Sequence, residues 1–308
     1  MYHFLYCFDK NYIKQASVSL YSLLENVDKD INVHIISDLG RDEIHMSKLI
    51  TNHSNLNNLE YYKINFPDLM IYNLEGAHVT EATFYRMFID EFLHFDGYVT
   101  YLDCDIICIK NPLREIKKII QNLEKSEHII SFNTELNKND GYSYFKDLNL
   151  KSDTYFNAGV MVFNLNKWNE FKVKEKAISL IPQLKNKAIF WDQDILNVLF
   201  DGNYYELPNS LNSRNREVNR NDVILHHFSG KFKPWSINGV KQKYSDTFHF
   251  YYSKLYKKNF LIVVPNITNG LKHLRDFIKN FDRKNKIQET NLIFITLVSL
   301  IRKSFNDE

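Results

Sequence analysis

Apolar and polar positions alternate in blocks along the first two-thirds of the chain. Short apolar runs are typical of buried strands, whereas apolar residues three or four positions apart are typical of amphipathic helices. The pattern predicts strands at His3–Phe8, Ile31–Ser37, Leu59–Ile64, Tyr98–Leu102, Ile129–Phe132 and Gly159–Leu165. It predicts helices around Ala16–Leu24, near Arg41–Glu43, over Ala82–Phe92, near Val173–Leu184 and over Asp194–Phe200. Strands and helices in alternation indicate an α/β fold with a mostly parallel central sheet.

Length and composition narrow the class of protein. The chain has 308 residues, which suits one large domain with an appendage, and its hydrophobic fraction of 44% excludes a disordered chain. A formal net charge of +2 provides no overall field that would favour nucleic acid as a partner. The apolar N-terminus lacks the cationic region and cleavage site of a secretory signal, so we expect a cytoplasmic protein.

The chain contains three cysteines, Cys7, Cys104 and Cys108. An odd number in a chain of this length does not indicate a disulfide framework. Cys104 and Cys108 stand in an apolar run, where a free cysteine behaves as a small hydrophobic residue. We therefore predict thiols buried in the core.

The character of the chain changes from residue 251. Eleven Lys and Arg stand against five Asp and Glu over 251–308, a local net charge of +6. The apolar segment Asn291–Ile301 has basic flanks and is too short for a bilayer core, which needs about 20 helical residues. It either lies flat on a membrane surface or packs as a helix on the main domain or another subunit, and the sequence supports both equally. We predict a main domain at 1–250 and a small basic, helical extension at 251–308.

Asp103 and Asp105 directly follow the predicted strand Tyr98–Leu102. In an extended segment, residues i and i+2 point to the same side, so both carboxylates can bind one hard cation. Two charges next to apolar runs are costly to bury unless something pairs with them, which favours a metal site. The same spacing recurs at Asp192 and Asp194, and in the polar connection Asp28–Asp30, where we predict a solvated turn.

A second cluster of polar residues runs from Leu225 to Trp235 and includes His226, His227, Gly230 and Lys233. Adjacent histidines in a strand face opposite ways, so only one is expected to bind a metal. A lone histidine usually has a structural role. Here the nearby glycine N–H and lysine change that expectation, because both bind phosphate oxygens. The cluster predicts a binding site for a metal-bound diphosphate.

Six short motifs follow one another along residues 3–235. They are Phe8-Asp9-Lys10-Asn11-Tyr12, Thr83-Phe84-Tyr85-Arg86, Tyr101-Leu102-Asp103-Cys104-Asp105, Tyr155-Phe156-Asn157-Ala158-Gly159-Val160, Asp192-Gln193-Asp194-Ile195-Leu196-Asn197, and His227-Phe228-Ser229-Gly230 through Lys233-Pro234-Trp235. This set resembles the family 8 glycosyltransferases, the retaining enzymes related to glycogenin and to the bacterial lipooligosaccharide and lipopolysaccharide transferases. The resemblance implies a GT-A fold, with 1–250 as the catalytic domain.

The resemblance also implies roles for individual residues. Asp9 and Tyr12 would hold the uracil of a UDP-sugar, with Asn11 beside them and the Cys7 backbone at the ribose. Asp103, Asp105 and His227, with Cys104 between the two acids, would bind Mn²⁺ or Mg²⁺. Gly230 and Lys233 would neutralise phosphate charge, with His78 nearby. The residues around the transferred hexose would be Arg86, Asn157, Ala158, Asp192 and Gln193.

The implied reaction transfers galactose or glucose to a saccharide or glycolipid acceptor with retention of configuration. Retaining glycosidases place a carboxylate nucleophile against the sugar, but the corresponding residue here is Gln193, whose amide is a poor nucleophile. This favours front-face attack by the acceptor hydroxyl, with Asp192 binding sugar hydroxyls and double displacement as the alternative. Where relatives carry an acidic residue after the middle strand, this chain has Asn133. The polar segments 134–150 and 205–222 leave the acceptor undefined.

Two other classes of function compete with this interpretation. A metal-dependent nucleotidyltransferase also uses paired acids, but it usually has a glycine-rich or basic motif after the first strand, and Asp9–Tyr12 is not one. A non-catalytic sugar-binding scaffold on the same fold would not need Asp103, Asp105, His227 and Lys233, which are all present. The basic extension is consistent with a peripheral position on the cytoplasmic face of the inner membrane.

Overall fold

The computed structural model describes residues 1–65, 80–140, 143–184, 187, 190–214, 221–258 and 260–306. The chain forms two compact units, Met1–His227 and Phe228–Glu308. These units are defined by how the chain packs, and packing does not show which residues are needed for catalysis. The division into a catalytic domain at 1–250 and an extension at 251–308 therefore stays a prediction.

The first unit is built on a seven-stranded, mostly parallel sheet. Its strands are β1 (Tyr2–Cys7), β2 (Ile31–Ser37), β3 (Leu56–Lys63), β4 (Tyr98–Leu102), β6 (Ile130–Asn137), β7 (Thr154–Asn164) and β8 (Tyr205–Glu206), in the order β3-β2-β1-β4-β7-β6-β8. Only β7 runs antiparallel to its neighbours, β4 and β6. A separate antiparallel pair consists of β5 (Ile106–Cys108) and β9 (Leu225–His227). The predicted α/β fold is confirmed.

Helices connect these strands. They are α1 (Ile13–Asn26), α2 (Lys48–Thr51), α3 (Leu113–Glu124), α4 (Tyr144–Asp147), α5 (Leu165–Glu170), α6 (Val173–Leu180) and α7 (Asp192–Phe200), with 3-10 helices at Glu81–Glu91 and Lys138–Asp140. The helix predicted near Arg41–Glu43 is wrong: those residues form a turn, and the helix begins at Lys48 after the Ser47 side chain caps it. The helix predicted over Ala82–Phe92 is a 3-10 helix with a kink at Phe88.

Strands β1 and β2 are buried almost throughout, which explains why their sequences are nearly continuous apolar runs. The buried core of the first unit extends through β4, β6 and β7 to α7. Phe132 and Phe156 stack across it with ring centroids 3.6 Å apart. All three cysteines are buried, as predicted.

One edge of the sheet collects the ends of three central strands. Strands β1 and β4 are parallel neighbours with Leu5 opposite Tyr101, so their carboxyl ends lie at the same edge. Strand β7 runs the other way, with Leu102 opposite Val160, and therefore brings its early residues to this edge. The backbone N–H of Asp103 donates to the carbonyl oxygen of Gly159 over 2.8 Å. Ligands of open α/β sheets bind outside such an edge.

The second unit is mainly helical. It contains α8 (Ser245–Tyr256), α9 (Ile267–Lys279), a 3-10 helix at Arg283–Asn285 and α10 (Lys286–Asn306). Its small core consists of Ile237, Val240, Ile262, Val264, Phe277 and Leu300. A Cβ at Gly270 would lie 2.4 Å from Leu300, so this glycine permits α9 and α10 to approach closely. Among the described residues, no helix is both long enough and apolar enough to cross a membrane.

Candidate active site

Asp103, Asp105 and His227 converge at the carboxyl edge of the sheet. Antiparallel pairing places Ile106 opposite His227 and so brings β9 against the segment that follows β4. His227 Nε2 lies 3.3 Å from Asp105 Oδ1 and 3.7 Å from Asp103 Oδ2. One potential ligand atom from each residue lies within 4.8 Å of the others. Two carboxylates and an imidazole suit Mn²⁺ or Mg²⁺, so the residues present fit a divalent cation.

Only one of the two adjacent histidines takes part in this group, as the strand alternation predicted. His227 belongs to it, whereas His226 is fully buried and pairs through its backbone with Ile107. Asp28 and Asp30, the alternative acidic pair, are exposed in the connection after α1. Asp103 and Asp105, which the sequence favoured because of their apolar surroundings, are the acidic pair that lies beside His227.

Arg86 links this group to the N-terminus of α7. Its guanidinium is buried, and its Nη2 donates to Asp103 Oδ1 over 2.7 Å. Its Nε lies 3.0 Å from Asp192 Oδ2, and its Nη1 donates to the carbonyl oxygen of Ala158 over 2.7 Å. Tyr101 also donates to Asp103 Oδ1 over 2.7 Å. The arginine therefore orients both acids, and they in turn supply the partners that a buried arginine needs.

The charges of this cluster depend on each other. Burial acts to lower the pKa of Arg86, but Asp103 and Asp192 outweigh it and raise that pKa above its ordinary value. Burial raises the pKa of Asp192 to about 6, although Arg86 and the Thr83 hydroxyl oppose the shift. Asp192 is thus a carboxylate that remains ionised at neutral pH mainly because Arg86 lies beside it.

Gln193, Asn157 and Ala158 form a row of amides beside Arg86. Gln193 Oε1 accepts from the backbone N–H of Ala158 over 3.1 Å and from Asn157 Nδ2 over 3.0 Å. The other Gln193 atom, Nε2, donates to the Tyr155 hydroxyl over 3.1 Å. Asp194, which follows in the same motif, is buried and accepts from Tyr155 over 2.6 Å. The structure therefore brings together the residues that the resemblance assigned to the hexose.

The predicted nucleotide-binding residues follow β1. The Asp9 carboxylate is buried and accepts from both the backbone and the side-chain amide of Asn11, over 2.8 and 3.2 Å. Tyr12 directly precedes α1 and is half-buried, and burial raises the pKa of its hydroxyl. Cys104 donates its thiol to the Cys7 carbonyl oxygen over 3.5 Å. Burial raises the pKa of both thiols, which makes them inert neutral groups.

The predicted phosphate-binding residues Gly230 and Lys233 lie in the second unit. Gly230 has φ +77°, which favours glycine, and a Cβ there would meet no described atom within 4 Å. Lys233 Nζ donates to the carbonyl oxygen of Phe228 over 2.8 Å. Their phosphate-binding role stays a prediction. His78 lies outside the described residues.

The sequence analysis missed two polar residues of this site. Asn212 is buried although it lies in the polar segment 205–222, and its Oδ1 lies 3.0 Å from His227 Nδ1. Glu135 lies where the pairing of β6 with β7 shifts register, and its Oε2 accepts from Asn157 Nδ2 over 3.3 Å. A β-bulge redirects a side chain without any signal in the local sequence, so Glu135 could not have been identified from periodicity.

Asn133, where the family resemblance led us to expect an acid, has a structural role. It is fully buried, and its side-chain amide donates to the Leu207 carbonyl oxygen over 2.8 Å. Its Oδ1 accepts from Arg214 Nη2 over 2.8 Å. The carboxylate of Glu135, two residues further along β6, is the one that contacts the amide row.

The order of the motifs and the geometry of this edge agree with one known family. The family model described as glycosyl transferase family 8 matches residues 3–239. The chain belongs to glycosyl transferase family 8. Its Asp-Asp-His group, the buried arginine and the amide row all lie within the matched segment.

Curated relatives agree with this membership. General stress protein A of Bacillus subtilis is 25% identical over 277 residues, which cover 82% of this chain and 93% of that protein. A lipopolysaccharide 1,2-glucosyltransferase of Escherichia coli is 29% identical over 253 residues, covering 74% and 71%. A lipopolysaccharide 1,3-galactosyltransferase of Salmonella typhimurium is 26% identical over 260 residues, covering 78% and 74%.

Solved structures support the fold. The galactosyltransferase LgtC, crystallised with donor and acceptor sugar analogues, aligns with a TM-score of 0.68 at 20% identity, over 86% of this chain and 98% of that one. The glycosyltransferase GlyE of Streptococcus pneumoniae aligns with a TM-score of 0.60 at 20% identity, over 82% and 60%. These alignments confirm the predicted GT-A fold.

Proposed function

We propose that this glycosyltransferase is a retaining, Mn²⁺-dependent enzyme that transfers galactose or glucose from a UDP-sugar to a saccharide acceptor. The observation that carries the proposal is the approach of Asp103, Asp105 and His227 beside the Arg86–Asp192 pair. A divalent cation held by the first three would neutralise charge on the two phosphates, and a buried arginine and amides would bind hexose hydroxyls. Family membership supports the same chemistry.

The donor would lie along the carboxyl edge of β1 and β4. Asp9 and Tyr12 would bind the uracil, with Asn11 holding the Asp9 carboxylate and the Cys7 backbone near the ribose. By the family resemblance, Gly230 and Lys233 would neutralise phosphate charge, with His78 nearby. Arg86, Asp192, Asn157, Ala158 and Gln193 would surround the hexose.

The transfer step would proceed by front-face attack. The acceptor oxygen forms a bond to the anomeric carbon as the bond from that carbon to the β-phosphate oxygen breaks. The acceptor proton passes to the departing phosphate. Asp192 is a poor nucleophile for the alternative double displacement, because its oxygens are engaged by Arg86 and by the Thr83 hydroxyl. Gln193 would instead support the charge that develops on the sugar.

The acceptor would be a saccharide on a bacterial cell-surface lipid. Relatives named as lipopolysaccharide glucosyltransferases and a lipopolysaccharide galactosyltransferase support this class. The relatives include both glucosyl and galactosyl transferases, so they favour neither hexose. The first experiment is therefore to determine which UDP-hexose is the donor.

The decisive test is release of UDP from a panel of UDP-sugars, with Mn²⁺ or with EDTA. We expect slow Mn²⁺-dependent hydrolysis of one UDP-hexose, which EDTA abolishes. Asp103→Asn should lower the rate about 10³-fold, which corresponds to about 4 kcal/mol of lost charge stabilisation. Asp28→Asn removes an acid with the same spacing from the exposed turn and should leave the rate unchanged.

The outcome also separates the competing functions. If no UDP-sugar is bound or hydrolysed with metal present, the non-catalytic scaffold replaces this proposal. Hydrolysis that is unaffected by both EDTA and Asp103→Asn would contradict the metal site. Release of pyrophosphate from a nucleoside triphosphate and a sugar phosphate would indicate a nucleotidyltransferase.

We further propose that α10 attaches the enzyme to the cytoplasmic face of the inner membrane. Ile287, Phe294 and Ile301 are 80%, 60% and 53% exposed and recur every seven residues, which places them on one helix face. Arg302 and Lys303 follow at its end. An exposed apolar face with basic flanks is typical of a helix that lies on an anionic membrane surface.

Vesicle flotation tests this attachment. The protein should float with vesicles containing anionic lipid and not with neutral ones, and Phe294→Glu with Ile301→Glu should abolish flotation. Hydrolysis of the UDP-sugar should be unchanged in that variant. Ser179→Glu with Gln183→Glu, two exposed changes in the first unit, serves as the control for added charge. Flotation of the double variant at the wild-type level would refute the attachment.

A further inference from the structure

Asn212 connects the predicted metal ligand His227 with the amide row. It is 1% exposed, although it lies in a segment rich in polar residues. On one side its Oδ1 lies 3.0 Å from His227 Nδ1. On the other side its Nδ2 donates to Asn157 Oδ1 over 2.9 Å. Both of its polar groups thus contact residues of the site.

Hydrogen bonds from backbone N–H groups show which way the side-chain amides of Asn157, Asn212 and Gln193 are oriented. The N–H of Gly159 donates to Asn157 over 3.0 Å, and since a backbone N–H only donates, the Asn157 atom there is the oxygen. The Asn212 atom that contacts the same oxygen must then be Nδ2. Asn212 consequently presents its oxygen to His227. The Ala158 N–H orients Gln193 in the same way from the other end.

The tautomer of His227 follows from this orientation. The Asn212 oxygen can only accept a hydrogen bond. Nδ1 of a neutral His227 must therefore be the donor and carry the ring hydrogen. Nε2 then has a free lone pair, and Nε2 is the atom that faces Asp103 and Asp105. A histidine binds a metal through its unprotonated nitrogen, and the partner of the other nitrogen determines which one that is.

We infer that Asn212 is a positioning residue that holds His227 in the tautomer able to bind the metal and couples this ligand to Asn157 on the sugar side. The inference rests on the proposed function. Asn212 makes two separate contributions: its oxygen orients the imidazole, and its amide hydrogen orients Asn157. Substitutions can remove the contributions together or one at a time.

Nuclear magnetic resonance of the metal-free protein tests the tautomer directly. Histidine is labelled with ¹⁵N, and long-range correlations identify which ring nitrogen carries the hydrogen at slightly alkaline pH. His227→Gln identifies the signals by their loss. We expect hydrogen on Nδ1 of His227, whereas hydrogen on Nε2 would overturn the inference. This measurement requires no variant of Asn212 to fold.

Mn²⁺ affinity tests the consequence. Affinity is measured in the presence of UDP by electron paramagnetic resonance of free Mn²⁺, and kcat is measured by UDP-sugar hydrolysis. Asn212→Ala should weaken Mn²⁺ binding roughly 10–100-fold, the usual effect of removing the partner of a metal-bound histidine. Asn212→Asp keeps an acceptor for the imidazole but no donor for Asn157. It should retain Mn²⁺ affinity and still lower kcat.

Asn203→Ala provides a matched control. The exposed Asn203 has its Oδ1 2.9 Å from Nδ1 of the half-buried His128, so it forms the same type of pair outside the site. This variant should keep wild-type affinity and kcat. Thermal unfolding of all variants verifies that each is folded.

The results distinguish the inference from the proposed function. If Asp103→Asn loses Mn²⁺ binding while Asn212→Ala keeps it, only the role of Asn212 is wrong. If Asn212→Asp binds Mn²⁺ as weakly as Asn212→Ala, the tautomer does not explain the effect. If Asp103→Asn also binds Mn²⁺ normally, the metal site itself and the function built on it are wrong.

Discussion

Gly159→Ala is expected to abolish metal-dependent turnover in a protein that still folds. A Cβ at this position would lie 2.2 Å from His227 Cε1, 2.6 Å from His227 Nδ1 and 3.0 Å from Asp103 Oδ2. His227 has little freedom to move, because it is buried, its strand pairs with β5, and Nδ1 contacts Asn212. The alanine should therefore displace the imidazole from the two carboxylates. The reason is steric, since the backbone at Gly159 does not have a positive φ.

The expected magnitude follows from that displacement. A shift of about 1 Å in a positioned group costs roughly 10²-fold in rate, and loss of a ligand costs more, so kcat/KM should fall at least about 10²-fold. Overpacking should lower the free energy of unfolding by about 1–3 kcal/mol. UDP-sugar hydrolysis and urea denaturation measure the two effects.

A double variant tests whether His227 is the group that clashes. In a His227→Ala background the added methyl group has room, so Gly159→Ala should cost less stability there, while activity stays absent. Gly40→Ala is the control, because the nearest atom to its Cβ would be 3.3 Å away on the flexible, exposed side chain of Glu43. Near wild-type hydrolysis by Gly159→Ala would show that His227 is not needed where the structure places it.

Arg86→Ala is expected to cause the largest loss of stability among the predicted variants. It removes the cation that pairs with both Asp103 and Asp192 at 2.7 and 3.0 Å. Removing one partner of a buried ion pair costs about 3–5 kcal/mol, because the remaining charge is left buried. Arg86→Lys should recover only part of this loss, since one ammonium group cannot reproduce the three directed contacts of the guanidinium.

The loss should depend on pH in one direction. Arg86 lowers the pKa of Asp192, which burial otherwise raises, so without Arg86 that pKa rises beyond about 6. A carboxyl group whose pKa is raised in the folded state loses stability as pH increases through that pKa. The difference between wild type and Arg86→Ala should therefore grow from pH 5 to pH 8, measured by urea denaturation without metal.

Two controls make this prediction specific. Lys174→Ala breaks an exposed ion pair with Glu91 and should cost at most about 1 kcal/mol. Asp192→Asn combined with Arg86→Ala should restore part of the stability and remove most of the pH dependence. A pH-independent loss in Arg86→Ala would mean that packing, and not the charge of Asp192, explains its effect.

Local sequence patterns predicted the parts of this protein that depend on neighbouring residues. The bounds of β2 and β4 agree with the predicted strands at Ile31–Ser37 and Tyr98–Leu102, because these strands are mostly buried and therefore largely apolar. Asp103 and Asp105 were identifiable because carboxylates beside such a run need a partner. These two residues are close together both in the sequence and in the site.

The bounds of a strand were harder to predict where pairing with another strand determines them. Strand β7 begins at Thr154, five residues before the predicted start, because its early residues pair with β6. The polar side chain of Asn157 interrupts the apolar pattern there, yet it is buried within the amide row. A polar residue that is satisfied by distant partners cannot be distinguished from a loop residue by its neighbours.

By itself the sequence determined the class of fold, the acidic pair, the histidine and the order of the family motifs, since each is recorded in adjacent residues. Only the tertiary structure decided which groups meet around them. Arg86 reaches both Asp103 and Asp192, the bulge in β6 directs Glu135 to Asn157, and Asn212 joins Asn157 to His227. The physical reason is that a buried polar group must find its partner in space, and strand pairing selects that partner from segments far apart in the chain.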